Sequence, residues 1–312
     1  MSCLGSVQVD ERFAHISNRH PCFSGEANMN HGRVHLPVSP ACNIQCRFCK
    51  RSFNKADAPD REDRPGVAGV ILKPEEAVEQ VRKALRICPE ISVAGIAGPG
   101  DTLATPHALR TFALIHQEFP ELINCLSTNG LLLERYAEDI INAGVRTVTV
   151  TVNAVDPLIL DRICSQVILE GVRYRGTEGA SLLIEAQKRG IRRIADLGAL
   201  VKINIVLIPG VNGEHIAEIA RTTAGLGAGL INIIPLIPQH EFAHHPAPDC
   251  EDLSQAREAA EAVLPVFRHC QHCRADACGI PGRGDLSALL YGTEPGGIPE
   301  SIRGFEQTFS HG

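Results

Sequence analysis

Six short apolar runs constrain this chain more than any other feature. They cover 33–38, 91–97, 122–127, 146–152, 200–207 and 230–235, and helix-forming segments at 73–87, 106–118, 134–143, 180–189 and 215–224 separate them. Strand-length runs alternating with helices predict a parallel sheet with crossover connections. Six units suit an open, partial (β/α)6 barrel better than a closed eight-fold one. Ligands in such sheets sit at the carboxyl ends of strands. Those ends carry Gly98-Pro99-Gly100-Asp101, Thr128-Asn129-Gly130, Asn153-Ala154-Val155-Asp156 and Ile208-Pro209-Gly210.

The loop after the first run reads Ala41-Cys42-Asn43-Ile44-Gln45-Cys46-Arg47-Phe48-Cys49. Three thiolates at these spacings can hold one 4Fe–4S cube and leave its fourth iron open to a small molecule. That iron can bind an amine and a carboxylate and pass on one electron. The competing reading is zinc, which usually asks for four ligands in paired Cys-x2-Cys units; the triplet lacks that pairing.

With 44% apolar residues the chain can bury a sizeable core. A formal net charge of −6 argues against non-specific nucleic-acid binding. No apolar run approaches the ~20 residues needed to span a bilayer, and no signal peptide opens the chain. The 12 cysteines are clustered, which points to metal ligation in a reducing cytoplasm rather than to disulfides. Residues 1–32 read as an N-terminal extension, 33–240 as the barrel core and 241–312 as a C-terminal extension. In the latter a helix over 253–267 delivers Cys270-Gln271-His272-Cys273, and a loosely ordered tail follows.

Cys270 and Cys273 fit zinc, a second iron–sulfur cluster or a redox pair, with Cys278 as a possible third ligand. Cys125, near the end of a strand, and Cys22 are candidates too, although a cysteine in a strand is most often packing. Cys3, Cys88 and Cys164 have no partner spacing and read as structural.

The triplet, with Phe48 at its penultimate position, resembles the signature of the radical S-adenosylmethionine (SAM) superfamily. That resemblance implies a radical SAM partial barrel whose extensions cover the mouth. It casts Gly98, Gly100 and Asp101 as the glycine-rich strand end that receives the methionyl amine. Thr151 and Asn153 would hold ribose or carboxylate, and Ile203 would pack on the adenine. More segments match a narrower family: His20-Pro21-Cys22-Phe23, the triplet loop, 97–104, 126–130, 151–157, 201–212, 235–243 and Cys270 to Ala277. In this order they resemble the NifB family, which builds the carbide-centred core of the nitrogenase cofactor. Membership implies that Cys42, Cys46 and Cys49 hold the SAM cluster. Cys270, Cys273, Cys22, Cys125 and a histidine would hold two precursor 4Fe–4S clusters. A SAM-derived methyl group and a 5′-deoxyadenosyl radical would then insert carbon as the precursors fuse into an 8Fe core. The implied partners are those precursors, the proteins that deliver and accept clusters, and an electron donor.

Two departures stand out. The family's further cysteine, six residues after the triplet, is replaced by Lys55, and Glu26-Ala27 is followed by Asn28-Met29 instead of a His-His pair. An ammonium has no lone pair to give iron. His20 is the first candidate for the missing ligand and His31 the second, with Asp57 and Cys278 as further substitutes. The alternatives to a carbide-inserting maturase are a radical SAM enzyme with one auxiliary cluster that modifies a peptide or small molecule, a maturase for a nitrogenase-like reductase, and a non-enzymatic cluster carrier.

Overall fold

The computed structural model describes residues 9–53, 62 and 64–291. The six apolar runs form strands β1 (Gly32–His35), β2 (Ile91–Ile96), β3 (Ile123–Thr128), β4 (Val145–Thr151), β5 (Leu200–Leu207) and β6 (Leu230–Pro235). They lie parallel and in sequence order. Val266–Phe267 extends the sheet beside β6, and Cys278–Gly279 pairs antiparallel with β1 at the other edge. Helices Pro74–Ile87, His107–Glu118, Ala137–Asn142, Gly176–Asp196 and Ile216–Ala224 supply the crossovers. This is the half-barrel anticipated from the alternation. Among the described residues no helix is long and apolar enough to cross a membrane.

Side chains alternate across each strand, and the two faces differ in chemistry. Val34, Ala94, Leu126, Val148, Val150, Val201, Ile203, Ile205, Ile231 and Ile233 belong to one buried core packed against the helices. The opposite positions are Arg33, His35, Cys125, Thr147, Thr149, Lys202, Asn204 and Asn232, a polar inner face. An apolar sheet face buried at about 25 cal/mol per Å² stabilises the barrel, which leaves the inner face free for other chemistry.

Three features differ from the reading of the sequence. The helix expected over 253–267 is Cys250–Glu261, capped by the Asp249 carboxylate, which accepts from the Glu251 and Asp252 N–H groups. Pro265 cannot continue a helix, and Val266–Phe267 becomes the edge strand. The unassigned stretch after β4 holds a hairpin, Cys164–Leu169 with Val172–Tyr174, which Ile44–Cys46 joins as a third strand. Its Glu170-Gly171 turn has φ of 52° and 80°, the two-residue geometry that matches strand twist. The N-terminal extension does not cover the mouth. The Arg19 carbonyl accepts from the Ser92 hydroxyl near the start of β2, and the Arg19 guanidinium donates to the Glu121 carbonyl just before β3. Phe23 is buried with Leu200, Leu230 and Phe267. These contacts lie at the amino-terminal ends of the strands, so the extension closes the end opposite the triplet loop.

The C-terminal extension is fastened by a buried ion pair. Arg274 Nε and an Nη donate to the two Asp276 oxygens at 2.8 and 3.0 Å, with both side chains at most 1% exposed. Asp276 also accepts from the Gly69 N–H at 2.6 Å, and the Ala275 N–H donates to Val67. Asp276→Ala removes the carboxylate from a buried guanidinium, and loss of one partner of a buried pair costs about 3–5 kcal/mol. A urea titration of the metal-free chain should show that loss as a lowered midpoint; a midpoint within error of wild type would deny the pair its fastening role.

Candidate metal centres

The triplet loop lies against the carboxyl ends of β2, β3 and β4. Cys42, Cys46 and Cys49 line one cleft, partly open to solvent, together with Phe48, Gly100, Asp101, Thr128, Asn129, Thr151 and Asn153. Gly100 seats the loop. Its N–H donates to Ser39 at 2.7 Å, the Asp101 N–H donates to Ala41 at 2.8 Å, and a Cβ on Gly100 would stand 2.0 Å from the Ala41 carbonyl oxygen. No side chain fits there. Gly98, whose φ is +130°, precedes a cis peptide to Pro99 and lies beside Ala275 rather than among the cleft's lining residues.

Burial pushes the Cys42 thiol up to about 11 and raises Cys49 as well. Cys46 is raised chiefly by its hydrogen bond with the Cys164 thiol, then by burial. Such thiols are neutral in the metal-free fold and lose their protons on taking up iron. The Asn129 amide donates to Cys42 Sγ at 3.8 Å and to Asn43 Oδ1 at 2.6 Å. Cys164 therefore belongs to the cleft and not only to the core, and its register partner across the hairpin is Cys46.

Two expectations for SAM binding change. Asp101 lines the cleft, but its carboxylate already accepts from Thr128 Oγ1 at 2.9 Å, the Asn129 N–H at 2.6 Å and the Leu103 N–H at 3.0 Å. It fixes the strand ends instead of waiting for an amine. Ile203 is wholly buried in the outer core and is not among the lining residues. Odd positions of β5 face the helices, so the adenine-facing role does not fit it. Asn153 accepts from the Val206 N–H at 2.9 Å, and Gln187 donates to the carbonyls of Asn129 and Thr151.

A second set of thiols gathers lower in the half-barrel. Cys22 stands close enough to Cys125, Cys270 and Cys273 for each to act on its charge, and burial raises it to about 12. These four come from the N-terminal extension, β3 and the C-terminal extension. Arg33 donates to Cys273 Sγ at 3.2 Å. Cys278 is not part of this set; it is fully buried in the outer core on the edge strand. His31 is half-exposed at the end of helix Gly25–Asn30, outside the group. Lys55 and Asp57 lie outside the described residues.

The buried histidines divide by tautomer. His20 Nδ1 accepts from the Cys22 N–H at 3.1 Å, so the neutral ring carries its proton on Nε2, a buried atom with no partner. It offers a donor to sulfur and not a lone pair to iron. His35 is the reverse. Its Nδ1–H donates to the Arg274 carbonyl at 2.9 Å, leaving the lone pair on Nε2, and burial lowers its pKa to about 4. A ring fixed by a carbonyl through one nitrogen is the usual arrangement of a metal-binding histidine. The sequence signal was the position of His35 on the inner face of β1, two residues after Arg33.

Residues 36–223 match the family model described as Radical SAM superfamily. "FeMo cofactor biosynthesis protein NifB" of Methanocaldococcus infernus is 47% identical over 269 residues, covering 86% of this chain and 88% of that protein. The chain belongs to the NifB family. The Klebsiella pneumoniae NifB is 44% identical and matches 84% of this chain, but only 57% of its own length. Among solved structures, Streptococcus suis SuiB bound to S-adenosylmethionine superposes with a TM-score of 0.53 at 14% identity, over 73% of this chain and 46% of that one. Methylornithine synthase (PylB) gives 0.50 at 11% identity, over 91% and 82%. At these identities the structures speak for the fold alone.

As a NifB-family radical SAM enzyme the chain uses a 4Fe–4S cluster and SAM, and the cleft fits both. Three thiols share one cleft, and strand-end donors and acceptors line it with them. Among the described residues no three His, Cys, Asp or Glu side chains converge as ligands of one metal ion. A cube places each thiolate on a different iron and so spreads its ligands. Gly100→Ala should push the triplet loop off its seat. Reconstituted protein would then lose the SAM-cluster absorbance and reductive SAM cleavage while its remaining iron stays bound; unchanged cleavage would show that the loop tolerates a methyl group.

Proposed function

We propose that this chain is a carbide-inserting maturase that fuses two 4Fe–4S precursors, its substrates, into an 8Fe nitrogenase cofactor core. The observation that carries this reading is one half-barrel with two separate thiol sets, the triplet at the carboxyl mouth and four convergent cysteines below it. Four thiols are also the number that one cube takes, so the choice of two precursors over a single auxiliary cluster rests on the kinship with NifB.

Cys42, Cys46 and Cys49 hold the resident cube, which when bound supplies one electron to SAM. Phe48, Thr151 and Asn153 shape and line the SAM space, while Gly98, Gly100 and Asp101 fix the turn that seats the loop. Below, Cys270 and Cys273 hold one precursor and Cys22 and Cys125 another. His35 supports the ligand set in place of the family's missing cysteine, presenting an imidazole nitrogen where Lys55 has nothing to give. His20 donates its Nε2–H to cluster sulfur. Cluster-donating and cluster-accepting proteins, an electron donor and a cytoplasmic setting complete the proposal.

Anaerobic reconstitution should load three cubes per chain. Cys46→Ala should abolish reductive SAM cleavage and remove one cube's iron. The Cys270→Ala, Cys273→Ala pair should remove about one cube and spare the SAM cluster. His35→Ala should lower iron content more than His20→Ala does. Two cubes in the wild type would favour the single-auxiliary-cluster enzyme, and lost zinc with unchanged iron in the double variant would mark a structural zinc site.

A further inference from the structure

Lys202 sits in the middle of β5 on the inner face of the half-barrel and is 5% exposed. Its Nζ donates to the Cys22 carbonyl at 3.3 Å and lies 4.8 Å from the Phe23 ring centroid and 5.8 Å from that of Phe267. Among the described residues no carboxylate pairs with it. A buried ammonium without a counter-charge is costly, and lysine is almost never buried unless paired. A carbonyl and two aromatic faces recover only part of that cost. Arg33, the other cation on this face, differs because Asp285 acts on it from the C-terminal extension. His20 and His35 cannot supply the missing partner, since an imidazole is either neutral or a cation.

The surroundings indicate what the partner is. Lys202 acts on the thiols of both Cys22 and Cys125. Cys22 is the residue whose carbonyl takes the Lys202 Nζ–H, and cysteine binds iron as the thiolate. Cluster loading therefore brings negative charge into a buried chamber where one unpaired positive charge already stands. The outer shell of such a cluster is thiolate and sulfide sulfur, so the ammonium meets sulfur and not iron.

We propose that Lys202 is the counter-charge of the lower chamber, a positioning residue that retains an iron–sulfur cluster held by the Cys22 and Cys125 thiolates. The proposal rests on the reading that precursor clusters occupy this chamber. It also suits a site one thiolate short. A fixed cation strengthens retention without adding an iron–ligand bond that must break when the precursors fuse.

The test compares wild type, Lys202→Met and Lys202→Arg, each reconstituted anaerobically with iron and sulfide. Iron loss to bathophenanthroline, midpoint potentials from an EPR-monitored redox titration, and melting of the metal-free chains are measured. Lys202→Met should keep the SAM cluster and its reductive cleavage of SAM. It should lose chamber iron several-fold faster, and the chamber cluster should be reduced at a more negative potential, because a nearby positive charge favours the added electron. Lys202→Arg should restore both properties. The metal-free Met variant should melt no lower than wild type, since it discards a desolvated charge. A Met variant that melts lower yet keeps wild-type iron retention and potential would make Lys202 a structural residue and overturn the proposal. Wild-type protein that loads only the SAM cluster would instead overturn the precursor-cluster reading, and the role of Lys202 with it.

Discussion

Side-chain alternation along six parallel strands is the constraint on which the rest of this protein depends. One face of every strand is spent on the core, with Val148, Val150, Val201, Ile203 and Ile205 packed against the helices. The sheet does not close, so the other face never has to fill with the layered aliphatic side chains of a full barrel. It carries Arg33, His35, Cys125, Thr147 and Lys202 instead. Polar groups on that face are tolerable only where they have partners, and most find carbonyls or each other. Among the described residues Arg33 Nε and Asn232 Oδ1 on this face have no partner, nor does His20 Nε2 from the N-terminal extension, and Lys202 has a carbonyl but no counter-charge.

Burial acts in the same direction on thiols of both sets. Cys42, Cys49, Cys22 and Cys125 are all raised by desolvation, so these four stay protonated in the metal-free protein. Iron must displace protons to bind, and the energy of that exchange is returned as order in the loops that carry the thiols. Nearby charges moderate the cost. Arg51 lowers Cys42 and Cys49, and Lys202 lowers Cys22 and Cys125. Arg64 also lowers Cys49, and Arg33 donates to Cys273, so each set has cations of its own.

Much of this was legible in the residues. The β5 and β6 boundaries match the apolar runs, and the triplet, Gly100, Thr151 and Asn153 meet in one cleft as their strand-end positions implied. What could not be read is which side of a strand a residue faces once the crossovers are built. Ile203 sits on the wrong parity of β5 for the cleft, whereas Lys202, its neighbour, faces inward. Proton placement was equally hidden. His20 looked the better ligand from its place in His20-Pro21-Cys22, but a backbone N–H two residues on takes its Nδ1 lone pair. The His35 tautomer is set only by a carbonyl that the C-terminal extension delivers from 239 positions away. The hairpin at Glu170-Gly171 was missed for a different reason. Its turn residues were visible, but its strand partner Ile44–Cys46 lies inside the triplet loop, where cysteine spacing dominated the reading.

The C-terminal segment from Cys273 to Cys278 joins the two thiol sets. Cys273 meets Arg33 in the lower chamber, and the Arg274 carbonyl fixes His35 beside it. The next residue, Ala275, packs on Gly98, two positions before the glycine that seats the triplet loop. Asp276 then locks the segment through Arg274 and Gly69. A reaction that moves carbon from a cofactor in the cleft to a cluster in the chamber needs their separation held constant, because misplacement of about 1 Å can cost on the order of a hundredfold in rate. The buried Arg274–Asp276 pair is thus better understood as a spacer between two sites than as a source of stability, since an apolar pair of similar volume would stabilise the fold as well. That gives a physical reason for charged residues to occupy a fully buried position beside the chamber.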